Sequence, residues 1–185
     1  MLPPGHVAGG YLVGYAFVRF IEPSLPASQA QFLIFLAMAS AFAPDLDMFY
    51  SFIKVGNMRL ATHRANHRLL FTHTPFFWII CGFGIFLLQG ANRQSASIAL
   101  VITLGALSHL LLDSIQYGIR WLYPISKRLY SVRDQGVEFD LGDEGFVMHW
   151  MHMILAYIRR FTLTFAFEMI LIVTAIIVAL RFPLY

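Results

Sequence analysis

Long apolar runs are the feature that most constrains how this chain can fold. A helix needs roughly 20 apolar residues to cross about 30 Å of hydrocarbon, and four segments approach or reach that length. These segments are 31–43 with its lead-in from Pro26, 75–89, 95–112 and 161–182. A fifth run, 7–21, is shorter and rich in glycine. Because 58% of the residues are hydrophobic and 12% are charged, the sequence predicts an all-α, polytopic membrane helical bundle with about five transmembrane helices.

The length of the chain suits one domain, and we expect residues 1–185 to form a single integral membrane domain. Within it, residues 114–160 predict an interfacial loop followed by an amphipathic helix. Cys81 is the only cysteine, which excludes an intrachain disulfide. We expect no cleaved signal peptide, because no basic segment precedes the first apolar run.

Five spans would place alternate loops on the same side of the membrane. Of the 13 lysines and arginines, ten then lie on the side of the N-terminus and three on the other side. The positive-inside rule therefore predicts a prokaryotic inner membrane protein with its N-terminus in the cytoplasm and its C-terminus outside. Part of the basic excess could instead form a phosphate-binding surface.

Side chains able to bind a metal ion all fall on the predicted cytoplasmic side. They are His6 at the start of the first helix, Asp45 and Asp47 after the second, His63, His67 and His73 before the third, and His109 and Asp113 at the end of the fourth. Any one of these histidines alone would be explained by the preference of amphipathic side chains for interfaces. Their shared side favours a common metal site.

The spacing of these residues supports ligation. His109 and Asp113 are four residues apart, so they lie on one helix face about 6 Å apart. His63 and His67 have the same offset, whereas His73 follows His67 by six residues and requires a bend between them. Nitrogen and oxygen ligands without thiolates indicate a divalent metal, zinc or alternatively manganese, with one to three ions, and argue against a structural cysteine site.

Four motifs resemble those of the YdjM-type membrane-bound, metal-dependent hydrolases. They are Gly5-His6, PDLD at 44–47, HRLLFTH at 67–73 followed by Thr74, and SHLLLDSIQYGIRWLYP at 108–124. That family in turn resembles, distantly, the zinc-dependent phospholipase C enzymes and related single-strand nucleases, which hydrolyse phosphoesters. The resemblance implies ligand roles for His6, one of Asp45 and Asp47, His67, His73, His109 and Asp113. His63 lies outside the motifs, and the resemblance gives no guidance beyond Pro124.

A phosphoester hydrolase also needs groups that hold phosphate and groups that move protons. Arg64 and Arg68, one helical turn apart, could hold the non-bridging phosphate oxygens, although positive-inside anchoring explains them equally well. Whichever of Asp45 and Asp47 is not a ligand could orient a histidine or act as a general base. A divalent ion would lower the pKa of water toward ~7 and polarise a phosphoryl oxygen.

The region after residue 133 offers weaker candidates. His149 and His152 are three residues apart in the predicted amphipathic helix and could form a second metal position with Glu144. Interfacial helices often carry such residues, so we favour that simpler interpretation. Glu168 in the last helix is costly in lipid and is expected to face the bundle or the site.

These observations favour a metal-dependent hydrolase that acts on a phosphoester at the membrane interface. The expected substrate is a membrane lipid or a lipid-linked phosphate, because the ligands lie at the predicted headgroup level. The alternative is a non-catalytic metal-binding membrane regulator or scaffold. A nucleic acid partner is disfavoured, because the sequence carries no recognisable nucleic-acid-binding motif.

Overall fold

The computed structural model describes residues 2–55, 69–115, 118–132, 146–159 and 163–183. Within these ranges the secondary structure is helical apart from one isolated antiparallel bridge between Ile119 and Tyr130. The helices are α1 Pro3–Phe20, α2 Ala27–Phe42, α3 Asp47–Val55, α4 Pro75–Leu88, α5 Arg93–Asp113, α6 Phe146–Arg159 and α7 Leu163–Arg181, with short 3₁₀ helices at Ala43–Leu46 and Phe71–His73. The predicted all-α class is confirmed.

Three helical stretches of the described chain are long and apolar enough to cross a membrane. They are Ala27–Tyr50, Arg93–Asp113 and Leu163–Arg181, and the apolar helix Pro75–Leu88 is shorter. Large apolar side chains cover the outside of the bundle, as in Leu88, which is 90% exposed, and Leu180, which is 77% exposed. A surface of this kind suits contact with lipid. The count of five spans and the side of the N-terminus stay predictions.

Small residues let α1 and α2 approach closely. A Cβ atom on Gly10 would lie 2.6 Å from that of Ala41, and one on Gly14 would lie 2.9 Å from that of Ala37. Because the glycine numbers rise as the alanine numbers fall, the two helices are antiparallel. Close backbone approach of this type is the usual role of small residues between membrane helices.

The remaining contacts set the directions of α4, α5 and α7. His109 in α5 hydrogen-bonds to the carbonyl oxygen of Ala41, and Val101 packs in one cluster with Leu33, so α5 runs parallel to α2. Trp78 packs against Leu110, whereas a Cβ atom on Gly82 would lie 3.2 Å from the carbonyl oxygen of Ala99, so α4 runs antiparallel to α5. These directions bring the start of α1, the end of α2, the start of α4 and the end of α5 together. We call this the His/Asp end of the bundle and the other the opposite end.

The second helix changes type where the sequence predicts that it ends. Pro44 sits in the first turn of the 3₁₀ helix, where its missing N–H leaves no hydrogen bond unmade. The chain then continues as α3, a helix that the apolar runs of the sequence do not predict. As a result, Asp45 lies in the 3₁₀ helix and Asp47 begins α3.

A loop after α5 supports the His/Asp end from outside. Ile119 is fully buried against Trp78, Ala106 and Leu110. The indole of Trp121 donates to the hydroxyl of Ser114 over 2.8 Å. Helix α6 lies where an amphipathic helix is predicted, and the interfacial placement of residues 114–160 stays a prediction.

Candidate metal centre

Four side chains at the His/Asp end form a compact group. Asp45, His73, His109 and Asp113 each offer one ligand atom, and these atoms all lie within 4.8 Å of one another. His109 Nε2 lies 3.5 Å from Asp45 Oδ1 and 3.7 Å from Asp113 Oδ2, and His73 Nε2 lies 3.8 Å from Asp45 Oδ1. Two ligands on a tetrahedral ion at about 2.1 Å would be about 3.4 Å apart, so these separations suit one shared ion.

Hydrogen bonds orient the ring of His73. Its Nδ1 lies 2.8 Å from Asp47 Oδ2, and the hydroxyl of Thr72 donates to the same carboxylate oxygen. The indole of Trp78 donates to the carbonyl oxygen of Thr72 over 2.7 Å, which fixes the 3₁₀ turn that carries His73. A carboxylate only accepts, so it holds the proton on Nδ1 and leaves Nε2 to face Asp45. Partners of this kind orient metal-binding histidines and raise their basicity.

A backbone carbonyl does the same for His109. Its Nδ1 donates to the oxygen of Ala41 over 2.8 Å, so the lone pair lies on Nε2, which faces the two carboxylates. That nitrogen is buried and makes no hydrogen bond within the described chain, although Asp45 and Asp113 lie near it. The carboxylate oxygens of Asp45 and Asp113 therefore lie close to Nε2 of His109 without forming a hydrogen bond with it. This arrangement is expected when all three atoms are ligands of one ion.

His6 joins the group from α1. Its ring stacks on that of His109 with centroids 3.8 Å apart, and its Nε2 lies 3.3 Å from Asp113 Oδ1. The two carboxylate oxygens of Asp113 thus face two different imidazoles. Neither ring nitrogen of His6 is hydrogen-bonded among the described residues, although the side chain is fully buried. Leaving a buried polar atom without a partner costs about 1–3 kcal/mol, so an additional ligand is expected here.

The donor set fits a divalent metal ion. Two imidazoles and two carboxylates can bind zinc, and the same nitrogen and oxygen mixture is compatible with manganese. Burial of His73, His109 and Asp113 would protect the ion from bulk water. The side chain of Asp45 is 14% exposed, whereas those of His109 and Asp113 are at most 1% exposed, so solvent reaches the group past Asp45.

A family model for the YdjM inner membrane protein matches residues 1–183. The chain belongs to the YdjM inner membrane protein family. The match runs past Pro124, where the motif resemblance ends, and includes α6 and α7. Family membership and the three helices of membrane-spanning length identify an inner membrane protein. Searches of curated proteins and of solved structures returned no match.

In this YdjM-family protein, several predicted site residues lie outside the group of four. His63, Arg64, His67 and Arg68 are outside the described residues, as is Glu144. The side chain of His149 is likewise outside the description, and His152 lies in α6, which supplies no member of the group. Asp47 contacts His73 rather than completing the group.

One basic residue that contacts the segment before His73 was not assigned a site role from the sequence. Arg120 donates from Nη1 to the carbonyl oxygen of Leu69 over 3.1 Å, four residues before His73. Its Nε is buried and makes no hydrogen bond within the described chain. From the sequence, Arg120 is only one of the ten basic residues on the predicted cytoplasmic side. Its position in the motif that also carries His109 and Asp113 was the available signal.

Proposed function

We propose that this YdjM-family protein is a metal-dependent hydrolase of a phosphoester in a membrane lipid or a lipid-linked phosphate. The observation that carries the proposal is the group of Asp45, His73, His109 and Asp113 with His6 beside it. Buried polar atoms in a purely structural cluster are normally hydrogen-bonded. Here the buried imidazoles of His6 and His109 keep nitrogens without hydrogen bonds in the described chain. That pattern supports a ligand-binding role.

We assign metal binding, orientation of a ligand and access for the substrate to different residues of the site. His73, His109, Asp45 and Asp113 would hold the ion, with His6 as a further ligand beside Asp113. The ion, when bound, would acidify water and polarise a phosphoryl oxygen. Asp47 would keep the His73 ring in register through its hydrogen bond to Nδ1. Asp45, as the partly exposed member, lies on the side from which a substrate would approach.

A phosphate group also needs cationic donors. Arg64 and Arg68 remain candidates from the sequence, and Arg120 is a candidate among the described residues. Its buried Nε makes no hydrogen bond to the described residues, and a phosphate oxygen could accept from it in a charge-assisted hydrogen bond. A metal-binding regulator or scaffold would need the metal ligands without such a group.

We also propose that the His/Asp end faces the cytoplasm, as the distribution of basic residues predicts. In a Cys81→Ser background, a cysteine at Lys127 should be protected from an impermeant thiol reagent in intact cells. A cysteine at Gln94, at the opposite end, should react. The reverse labelling pattern would invert the orientation and leave the metal group intact.

The function is tested with purified full-length protein and a panel of lipids, lipid phosphates and single-stranded nucleic acid. We expect wild type to release phosphate or a phosphorylated headgroup from a lipid substrate. A chelator should stop the release, and added zinc or manganese should restore it. Wild type that is fully metallated but hydrolyses no member of the panel would favour the regulator. Cleavage of nucleic acid alone would contradict the proposed substrate class.

A further inference from the structure

Glu168 is a buried carboxylate that the proposed chemistry does not use. It lies in α7, its side chain is 0% exposed, and it supplies none of the four grouped ligand atoms. Its Oε1 and Oε2 atoms lie 3.2 and 3.3 Å from the backbone nitrogen of Leu2, which donates to them. Leu2 is the N-cap residue of α1, so the last helix of the chain contacts the first turn of the first helix.

The first turn of α1 has no side-chain cap of its own, so the contact with Glu168 takes the place of one. Leu2 offers no side-chain oxygen as a cap, and Pro3 and Pro4 have no N–H to donate. The N–H of Gly5 is bound by the carbonyl oxygen of Leu2 over 3.0 Å. The N–H of Leu2 remains, and Glu168 accepts it.

The fit between the two helices is tight at this point. A Cβ atom on Gly5 would lie 2.8 Å from both Cγ and Oε1 of Glu168. One turn later, a Cβ atom on Gly9 would lie 3.8 Å from a methyl carbon of Leu171, so α7 runs parallel to α1. These contacts with α7 therefore limit both the sliding of the first turn of α1 along the helix axis and its rotation about that axis.

His6 is the next residue after Gly5, and its place in the metal centre depends on that turn. Its Nε2 reaches to 3.3 Å from Asp113 Oδ1, and its ring stacks on His109. A shift of the turn by 1 Å would disturb both contacts. We infer that Glu168 is a positioning residue of the metal centre, which caps α1 from the last helix and thereby sets the position of His6. The inference rests on the metal site of the proposed function and is independent of hydrolysis.

The test compares zinc affinities of full-length variants by competition with a chelator. We expect Glu168→Ala to weaken zinc binding about 10- to 100-fold, as when a group that orients a metal ligand is removed. Glu168→Gln should stay close to wild type, because its amide oxygen can still accept from Leu2. Glu168→Asp should weaken binding although it keeps the charge, because its side chain is one methylene too short to reach. Thr164→Val, on the same buried face of α7, is the control and should change nothing.

A double-mutant cycle separates positioning from general destabilisation. In a His6→Ala background, Glu168→Ala and Glu168→Asp should cause no further loss of zinc affinity, because Glu168 acts through His6. An equal loss in both backgrounds would overturn the inference, and so would tight binding by Glu168→Asp with weak binding by Glu168→Gln. Because Glu168→Asp keeps a buried carboxylate, it gives the answer if Glu168→Ala fails to fold. Wild type that binds no zinc or manganese would contradict the metal centre and this inference with it.

Discussion

At the opposite end of the bundle, the buried carboxylate of Glu22 is fully matched by donors. Arg93 donates to its two oxygens over 2.7 and 3.3 Å, and the hydroxyl of Ser97 donates to Oε1 over 2.8 Å. The hydrogen bond from Arg93 holds the pKa of the Glu22 carboxyl below its usual value, and this outweighs the opposing effect of burial. This cluster is complete without any further group.

The His/Asp end has the same kind of burial with a different outcome. His6 and His109 are both 0% exposed, yet three of their four ring nitrogens make no hydrogen bond in the described chain. The Glu22 cluster joins the loop between α1 and α2 to α5 without leaving such nitrogens, so connecting neighbouring segments does not by itself require them. This difference favours a ligand at the His/Asp end, where a metal ion could bind, whereas the Glu22 cluster satisfies its buried carboxylate within the protein.

The largest expected effect is on hydrolysis. Asp113→Ala removes the carboxylate that faces both His6 and His109, so turnover should fall by at least about 1,000-fold, to the level of metal-stripped protein. Glu22→Gln is the matched control, because it changes a buried acid at the opposite end and should leave turnover within about twofold of wild type. Equal losses in the two variants would erase the functional difference between the ends.

The second effect separates phosphate contact from metal binding. Arg120→Lys keeps the charge but loses the planar guanidinium, so turnover should fall about 30- to 1,000-fold while the metal stays bound. Arg128→Lys is the control. It is the same substitution in the same loop, but the Arg128 guanidinium lies 5.5 Å over the ring of Tyr130, and we expect turnover to be unchanged. Unchanged turnover in Arg120→Lys together with reduced turnover in Arg68→Lys would transfer the phosphate contact to Arg68.

The third effect concerns the hydrogen bond behind His73. Asp47→Ala should weaken metal affinity about 10- to 100-fold, because the ring loses the partner that fixes its orientation. Asp47→Asn should lose less, because its amide oxygen can still accept from Nδ1. A chelator competition assay measures both values. Loss of metal as complete as that caused by Asp113→Ala would make Asp47 a direct ligand.

The smallest effect is the pH dependence of the Glu22 cluster. Because the folded-state pKa of Glu22 lies below its usual value of 4.5, the cluster stabilises the fold fully above that pH. The contribution is lost as the pH falls through the folded-state pKa. Since the Arg93 side chain is 78% exposed, it should amount to about 1 kcal/mol or less. In metal-free protein, the stability difference between wild type and Glu22→Gln should shrink from pH 6 to pH 3. A constant difference would contradict this account.

Part of the site could be predicted because it depends on local spacing. His109 and Asp113 share a face of α5 through their offset of four residues, and the long apolar runs indicated the helical class. The division between Asp45 and Asp47 could not be predicted. It depends on the change from a 3₁₀ helix to α3 at Asp47, which aims the two carboxylates at different histidine nitrogens.

Other contacts left no signal in the sequence because they involve the backbone. His109 is oriented by the carbonyl oxygen of Ala41, which every residue type would provide. Glu168 was recognised as costly in lipid, but its partner is the backbone N–H of Leu2 at the other end of the chain. Arg120 reaches Leu69 because Ile119 is buried beneath α4 and α5, a tertiary arrangement that local patterns do not specify.

Metal content is the most direct test of whether the His/Asp end binds a divalent metal ion. Full-length protein is purified without chelators, and its metal content is measured by inductively coupled plasma mass spectrometry. The His109→Ala and Glu22→Gln variants are prepared and measured in parallel. We predict at least one zinc or manganese ion per chain in wild type and in Glu22→Gln, and loss of most of it in His109→Ala. Equal metal content in wild type and His109→Ala, or none in wild type after incubation with either metal, would contradict the account.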